Sequence, residues 1–424
     1  MSAAKREEVL VAIHAWPGAP RRAAWLRRAG VAEHSDIAFE YDQSWLTMPG
    51  AFPLDPTLEM RPGEQRRRTA AELPPVFTDA APDRWGRKLL DQREVDLARR
   101  EGRKPRTLDP FDYLIRVNDA TRTGAIRLQQ PDGRYLDDSQ VGVPPKADLG
   151  ELEAAADRIE RGTRASDDER AAWLEKLLAP GASLGGARPK ASFENTSGSL
   201  WMAKFPAPSD TRDKGAWEYV LGVLAREAGI TMPEQGLLRL GSAYHTVVAR
   251  RFDRVGSHRR MFASAMTLLE RGDHSGNASY LEIATAIELY GTPDEASIRE
   301  DLAQLYRRVV FNALTGHRDD HLRNHGFLHD GVGWRLAPAF DLNPMPEMGA
   351  HELAFDDRGT RVADMDAIEA TARHYRLGAV QAAEIISEVR GAVTCWQQES
   401  SGAGIGRDEQ ERVASAFAVE PAHR

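Results

Sequence analysis

A chain of 424 residues exceeds what one ordinary hydrophobic core supports, so two or three domains are expected. An apolar fraction of 42% and a net charge of −8 with both signs intermixed describe a globular protein, argue against a wholesale nucleic-acid binder and leave room for a local basic patch. The single cysteine, Cys395, excludes an intrachain disulfide and fits a reducing cytoplasm, and no apolar stretch reaches the ~20 residues of a membrane helix, so no membrane partner is expected.

Residues 1–60 read as short strands and turns. The apolar run 9–16 is taken as the first strand and not as a signal peptide, because it is short, contains His14 and lacks a small-residue cleavage site. Residues 37–41 form a second strand. Residues 79–106 read as helical, and 84–106 hold nine Lys or Arg against four acids. That stretch is either a solvated face or a contact for DNA or an acidic partner. Helices are expected over 149–161 and 167–178, the second opened by the capping box Ser166-x-x-Glu169 and ended by Pro180 and Gly181. After the loop Ser183-Leu-Gly-Gly-Ala-Arg-Pro-Lys190 comes a hairpin, 190–193 and 200–205, turned at Asn195-Thr-Ser-Gly198. Residues 217–228 read as a helix closed by Gly229, 246–252 as a strand, and Asp253-Arg254-Val-Gly256 as a hinge. From Met261 the pattern turns helical. Ile298, Leu302, Leu305 and Val309 recur at helical spacing, with Ser297-x-x-Glu300 as the expected capping box and Gly316 as the stop. A mixed α/β front half thus precedes a mostly helical back half.

The segment His317-Arg-Asp-Asp-His-Leu-Arg-Asn324 carries the chemistry. Asp319 and Asn324 stand in the order Asp-x-x-x-x-Asn, the spacing with which protein-kinase catalytic loops present a base to a substrate hydroxyl and an asparagine to magnesium. A hairpin follows, 326–328 and 334–337, turned at Asp330-Gly331, and then Pro338-Ala-Phe-Asp341, where kinases place a second metal-binding aspartate. Upstream, Lys204 ends a strand, as the lysine that clamps the α- and β-phosphates does, and Glu218 lies fourteen residues later on a helix, placed to pair with it. Gly185 and Gly186 let backbone N–H groups approach phosphate. No G-x-x-x-x-G-K-[ST] string occurs, so a P-loop NTPase is not expected.

Together these residues resemble the HipA family of bacterial toxin kinases, most densely from Ser183 to Pro344. Ser183–Lys190 resembles its Gly-rich loop, Trp201-Met-Ala-Lys204-Phe-Pro206 its ATP-lysine strand, and Glu218-Tyr with Leu224-Ala-Arg-Glu-Ala-Gly229 the helix that follows. Arg251-Phe252-Asp-Arg254 resembles the hinge motif, where adenine would sit against Phe252, while Arg250 stands where some members carry glutamate. Asn312-x-Leu-x-Gly316, Asp319-Asp-His321 and Asn324 resemble the catalytic loop, and Leu336-Ala-Pro-Ala-Phe-Asp341-Leu-x-Pro344 the magnesium motif. Residues 1–130 share only the general look of the family's β-rich N-terminal subdomain.

The resemblance implies an α+β, two-lobed, protein-kinase-like fold. Its expected parts are a β-rich subdomain over 1–130, an N-lobe over 131–255 and a helical C-lobe over 256–424. It implies an ATP- and Mg²⁺-dependent serine/threonine kinase acting on a protein hydroxyl. Asp319 and His321 would be catalytic, and Asn324 and Asp341 would hold metal. Ser183, Gly185, Gly186, Lys204, Glu218, Arg250, Arg251 and Phe252 would line the nucleotide, and Ser183 would be autophosphorylated. Family substrates include aminoacyl-tRNA synthetases, and the usual partner is a helix-turn-helix antitoxin that brings the complex to operator DNA. Two other readings stand beside it. His317, His321, His325 and His329 recur at i, i+4, as in zinc sites on helices, which would make a metal-dependent hydrolase. An inactive kinase fold acting as corepressor with an antitoxin is the other.

Overall fold

In the computed structural model the chain divides into two units, Met1–Pro208 with Asp253–Ala263, and Ser209–Phe252 with Ser264–Arg424. The structure describes residues 6–14, 19–30, 35–67, 72–136, 143–181, 186–272 and 276–418.

The first unit opens with β1 (Arg6–Ile13), β2 (Arg21–Ala29) and β3 (Asp36–Tyr41), joined later by β4 (Ile126–Gln129) in an antiparallel sheet of order β3-β2-β1-β4. The first strand ends at Ile13, within the expected 9–16, of which residues 15–16 lie outside the described residues. The sequence reading did not single out β2, because four arginines break up its apolar pattern. The sheet uses them as cross-strand partners: Arg27 bridges Glu8 on β1 and Glu40 on β3. Arg28, buried, meets Asp109 at 2.9 Å. Short helices α1 (Gln43–Leu46) and α2 (Pro75–Asp79) pass Trp45, Val76 and Phe77 into the core.

The basic stretch folds as α3 (Arg84–Arg100), capped by Asp83 and ending before the expected 106, because Glu101 and Gly102 close its last turn. Then come α4 (Pro110–Ile115), α5 (Leu149–Glu160) and α6 (Asp167–Gly181). The Ser166–Glu169 capping box is present in both directions, at 2.9 and 3.3 Å. The charges of α3 are largely paired within this unit. Lys88 meets Glu160, Arg99 meets Asp167 at 2.9 Å, Arg100 meets Asp168 at 3.0 Å, and Arg103 and Arg106 converge on Glu94. The stretch is therefore a seam binding α3 to α5 and α6, more than a bare solvated face.

Strands β5 (Lys190–Glu194) and β6 (Leu200–Lys204) form the expected hairpin, with Asn195 Oδ1 accepting from Ser197 N and Ser199 N in the turn. Its register sets Lys190 opposite Lys204. Lys190 is 1% exposed and ion-paired with Asp83.

The second unit begins with α7 (Lys214–Glu227), three residues earlier than expected because Asp213 caps it, accepting from Ala216 N at 3.0 Å. Gly215 is obligatory there, since a Cβ would lie 2.2 Å from the His245 carbonyl. Strands β7 (Gln235–Leu238) and β8 (Thr246–Arg250) pair antiparallel. The segment expected as a hinge is a small hairpin of the first unit, β9 (Arg254–Val255) with β10 (His258–Arg259). It is tied down by Asp253 accepting from Gly124 N at 2.8 Å. After β11 (Phe262–Ser264) come α8 (Ala265–Leu268), α9 (Tyr280–Tyr290) and α10 (Glu295–Thr315). The start of α10 corrects the expected capping box at Ser297: Asp294 is the cap, accepting from Ser297 N at 2.9 Å, so Ser297 already lies inside the helix. Gly316 stops it in the left-handed conformation, φ 59°. The hairpin β12 (Gly326–His329) with β13 (Trp334–Leu336) follows, then α11 (Met365–Ala370), α12 (Ala379–Val393), α13 (Trp396–Gly402) and α14 (Arg407–Val413).

Because Arg99 and Arg100 face carboxylates on α6, the double variant Arg99→Glu/Arg100→Glu is expected to destabilise the protein. Exposed pairs of this kind are each worth at most about 1 kcal/mol. A lowered urea midpoint at low salt, with a smaller difference at high salt, checks this. An unchanged midpoint at low salt would remove the seam.

Candidate active site

Helix α10 carries its buried face into a tight stop. Past Gly316 the chain runs as an irregular loop to a single 3₁₀ turn, Leu322–Asn324, and then straight into β12. Adjacent residues of this loop part company. Asp320 is 2% exposed, whereas Asp319 faces solvent.

Asp320 Oδ2 accepts from Tyr280 Oη, Asn312 Nδ2 and His325 Nε2, each at 2.8 Å, and His317 Nε2 stands 3.8 Å from Oδ1. Burial opposes its ionisation. The charges of His325 and His317 and the donated hydrogen bonds outweigh that and hold the carboxyl far below the usual range. Four elements thereby meet on one carboxylate: α9 through Tyr280, α10 through Asn312, the loop itself, and the entrance to β12 through His325.

Asp319 is the outward counterpart. Its backbone carbonyl accepts from Asn324 Nδ2 at 3.3 Å, which folds the loop back on itself over the five-residue spacing. Partial burial raises its carboxyl above the ordinary aspartate value. Asp341 and Glu352 push the same way, and His321 and His317 oppose. Asp341 is thus within electrostatic reach of Asp319. It also has φ 61°, a backbone conformation that non-glycine residues seldom adopt, and such strain persists only where the surroundings impose it.

Those surroundings are visible. Ala337 N donates to Gly326 O at 2.8 Å and Ala339 N to Thr231 O at 2.9 Å, fixing the approach to Asp341. Phe340 packs against Phe252, ring centroids 5.7 Å apart. On the far side, Asn343 N lies 3.2 Å from His317 Nδ1, and Asn343 Nδ2 donates to Glu218 at 3.5 Å. Arg212 donates to Pro344 O at 2.9 Å, and Arg318 to the carbonyls of Met345 and Met348 at 2.9 and 2.8 Å.

Asp319, His321, Asn324, Asp341 and Glu218 all belong to the second unit, with Arg250, Arg251 and Phe252 at the end of β8. Lys204 and Gly186 belong to the first; Gly186 has φ 101°. Ser183 and Gly185 lie outside the described residues. The sequence reading missed Tyr280, Arg212 and Asn343, and gave Asp320 no role of its own. The doubled aspartate was the one local signal for it.

The hydrolase reading does not survive this geometry. The four histidines do not share a helix face, because Gly316 ends α10 and β12 begins at Gly326. His317 and His325 turn nitrogens to Asp320. His329 Nδ1 accepts from Gly331 N, and burial lowers that imidazole to about 4. Among the described residues no three of His, Cys, Asp or Glu are grouped to hold a metal ion.

Replacing Asp320 with alanine leaves buried donors unanswered, and such a loss costs roughly 3–5 kcal/mol. Its folded pKa is depressed, so its contribution is complete above the unfolded value of ~3.9 and is lost as pH falls below it. Urea unfolding of the wild type and Asp320→Ala should therefore differ at pH 7 and converge toward low pH. Equal stability at pH 7 would refute the assignment.

Comparison with known proteins agrees with this architecture. Residues 182–396, just over half of the chain, match the HipA-like C-terminal domain, and residues 19–129 match the HipA N-terminal domain. The solved Shewanella oneidensis MR-1 HipA, in a toxin–antitoxin complex with HipB and operator DNA, superimposes with a TM-score of 0.60. It is 16% identical over 96% of this chain and 94% of its own, which shows the shared fold. The Helicobacter pylori proinflammatory kinase CtkA aligns at a TM-score of 0.38, with 16% identity over 54% of this chain and 92% of its own. A Haemophilus influenzae protein described as a candidate kinase is 28% identical over 160 residues, covering 34% of this chain and 46% of that protein's length, so less than half of it is represented. With both of its halves matched, the chain belongs to the HipA family and has that family's α+β, kinase-like fold.

Proposed function

We propose that this chain is an ATP-dependent protein kinase that transfers the γ-phosphate to a serine or threonine hydroxyl, with Asp319 as base. The observation that carries the reading is the pairing of an exposed, raised-pKa Asp319 with Asn324 and the strained Asp341 around one loop held from beneath by Asp320.

In the transfer, the acceptor oxygen forms a bond to Pγ as the bond from Pγ to the β–γ bridging oxygen breaks. ADP leaves with that electron pair, and the hydroxyl proton passes to Asp319. His321, beside Asp319, steadies the loop. By family resemblance we assign Lys204, Gly185 and Gly186 of the first unit to the nucleotide phosphates, and Glu218, Arg250, Arg251 and Phe252 of the second to nucleotide binding. Asn324 and Asp341 fit a divalent cation: Asn324 donates its Nδ2 to Asp319 O, leaving Oδ1 for a ligand bond, and the like charges of Asp319 and Asp341 favour a cation near them. Magnesium held there supplies neutralisation of phosphate charge when bound. Among the described residues no helix is long and apolar enough to cross a membrane, and we place the enzyme in the cytoplasm.

The Shewanella relative was solved with HipB and operator DNA, which supports a DNA-bound antitoxin as partner here. The proposed substrate is a protein with a serine or threonine acceptor, in a family whose substrates include aminoacyl-tRNA synthetases. Ser183 is the proposed autophosphorylation site, where a charge near −2 would repel the ATP phosphates.

Asp319→Asn should bind ATP and keep its fold while losing transfer by about 10²–10⁴-fold. In the wild type free of nucleotide and metal, the Asp319 carboxyl should titrate above the ~3.9 of an ordinary aspartate, as read by carboxyl-carbon NMR. After incubation with Mg-ATP, peptide mass analysis should find phosphate on Ser183 in the wild type and none in Asp319→Asn. Phosphate confined to Ser192 or Ser197 would sink the Ser183 assignment. A wild type that binds antitoxin and DNA but transfers nothing would return the corepressor reading.

Asn324→Ala and Asp341→Ala should each reduce the Mg²⁺ dependence of binding an ATP analogue, read by titration with and without the ion. The same dependence in both variants as in the wild type would remove the metal assignment.

A further inference from the structure

We propose that residues 407–418 act as a clasp that positions the catalytic loop, and that Glu409 is the positioning residue through which the clasp seats α7. The inference rests on the phosphoryl-transfer reading. It concerns a segment beyond the residues matched by the HipA-like C-terminal domain, which end at 396.

One arm of the clasp holds α7. Glu409 lies in the first turn of α14, and its side chain is 15% exposed. Its Oε1 accepts from Asp213 N and from Trp217 Nε1, each at 2.9 Å. Both donors sit at the N-terminal end of α7, where unpaired N–H groups and the helix dipole favour a carboxylate. The carboxylate of Asp213 is already engaged, accepting from Ala216 N and His245 N, so Glu409 supplies an acceptor the helix does not itself provide. Glu218 is the residue after Trp217. It meets Asn343 Nδ2 at 3.5 Å, and the Asn343 backbone meets His317 Nδ1 at the start of the catalytic loop. Rotation of α7 about its axis would therefore be felt at Asn343.

The other arm holds the loop directly. Ala418 N donates to Leu314 O at 2.9 Å in the last turn of α10. The Ala416 carbonyl lies so close to Gly316 that a Cβ there would be 2.4 Å from it. Phe417 stacks on Trp396 at 4.3 Å and stands 6.1 Å from Trp217, joining the two arms through one aromatic cluster. The stack supplies apolar burial. Glu409 does something different, because two directed hydrogen bonds to one oxygen fix an orientation as well as a contact.

Full-length Glu409→Ala, Glu409→Gln and Trp217→Phe make the test. Glutamine retains a carbonyl oxygen able to accept both bonds, and Trp217→Phe removes one donor while keeping an aromatic ring. Amide hydrogen exchange over 214–219 and 317–324 should quicken in Glu409→Ala, less so in Trp217→Phe, and stay at the wild-type rate in Glu409→Gln. At saturating Mg-ATP, kcat for γ-phosphate transfer should fall about tenfold in Glu409→Ala with a smaller change in KM for ATP, and recover in Glu409→Gln. The double variant Glu409→Ala/Trp217→Phe should be no worse than Glu409→Ala alone, because the bond that Trp217→Phe removes is already lost in Glu409→Ala. Quickened exchange at 214–219 with an unchanged kcat would overturn the positioning role, as would wild-type exchange at 317–324 in Glu409→Ala. If the wild type transfers no phosphate, the kinase reading fails by itself, and exchange at 317–324 still decides whether the clasp holds the loop. Should Glu409→Ala fail to fold, Trp217→Phe carries the same comparison.

Discussion

A single buried carboxylate organises the second unit. Asp320 collects a tyrosine hydroxyl, a carboxamide and a histidine from three directions at 2.8 Å, with a second histidine nearby. Taking a charge out of water is costly, and it is tolerated here because donors surround it. The consequence reaches its neighbour. With Asp320 turned inward and held, Asp319 is presented outward, beside Asp341 and within the reach of His321. A buried, hydrogen-bonded residue thus fixes which way its solvent-facing neighbour points, and the base role proposed for Asp319 would draw on that.

The strain at Asp341 follows from the same economy of contacts. Its φ of 61° sits between an approach fixed by Ala337 and Ala339 and an exit fixed by Asn343 and Pro344. Arg318, one residue before Asp319, ties down the carbonyls of Met345 and Met348. The segment after Asp341 is therefore bonded to the loop that follows α10 at several points.

Charge in the first unit does different work. A helix rich in arginine invites a reading as a binding face, but its cations find carboxylates on α5 and α6, and Arg103 in the loop after it returns to Glu94 within the helix. The sheet shows the same habit, with Arg27 shared between strands and Arg28 buried against Asp109. In both places arginine ties elements of the unit together, from shielded positions in the sheet and from half-exposed ones on α3.

What the sequence alone determined was local. The Asp-x-x-x-x-Asn spacing, the hairpin turned at Asp330-Gly331, the glycine stop at Gly316 and the Ser166–Glu169 capping box each lie within a few residues, and backbone chemistry at that range leaves little choice. Family likeness extended this to the fold. Boundaries set by competing caps were harder: Asp294 and Ser297 are both good N-caps, and only the folded helix shows that Asp294 accepts the bond. Strand β2 was hidden because its arginines look like solvent until Glu8 and Glu40 are brought beside them. Which of two adjacent aspartates is buried, and which carboxylate seats α7, could not be read from order at all. Glu409 and Asp213 are 196 residues apart, and their contact exists only in the folded unit, where Trp217, Trp396 and Phe417 pack residues 407–418 against α7. Local spacing encodes the chemistry of the loop, whereas burial and long-range hydrogen bonding, which arise only when the core closes, decide where that chemistry points.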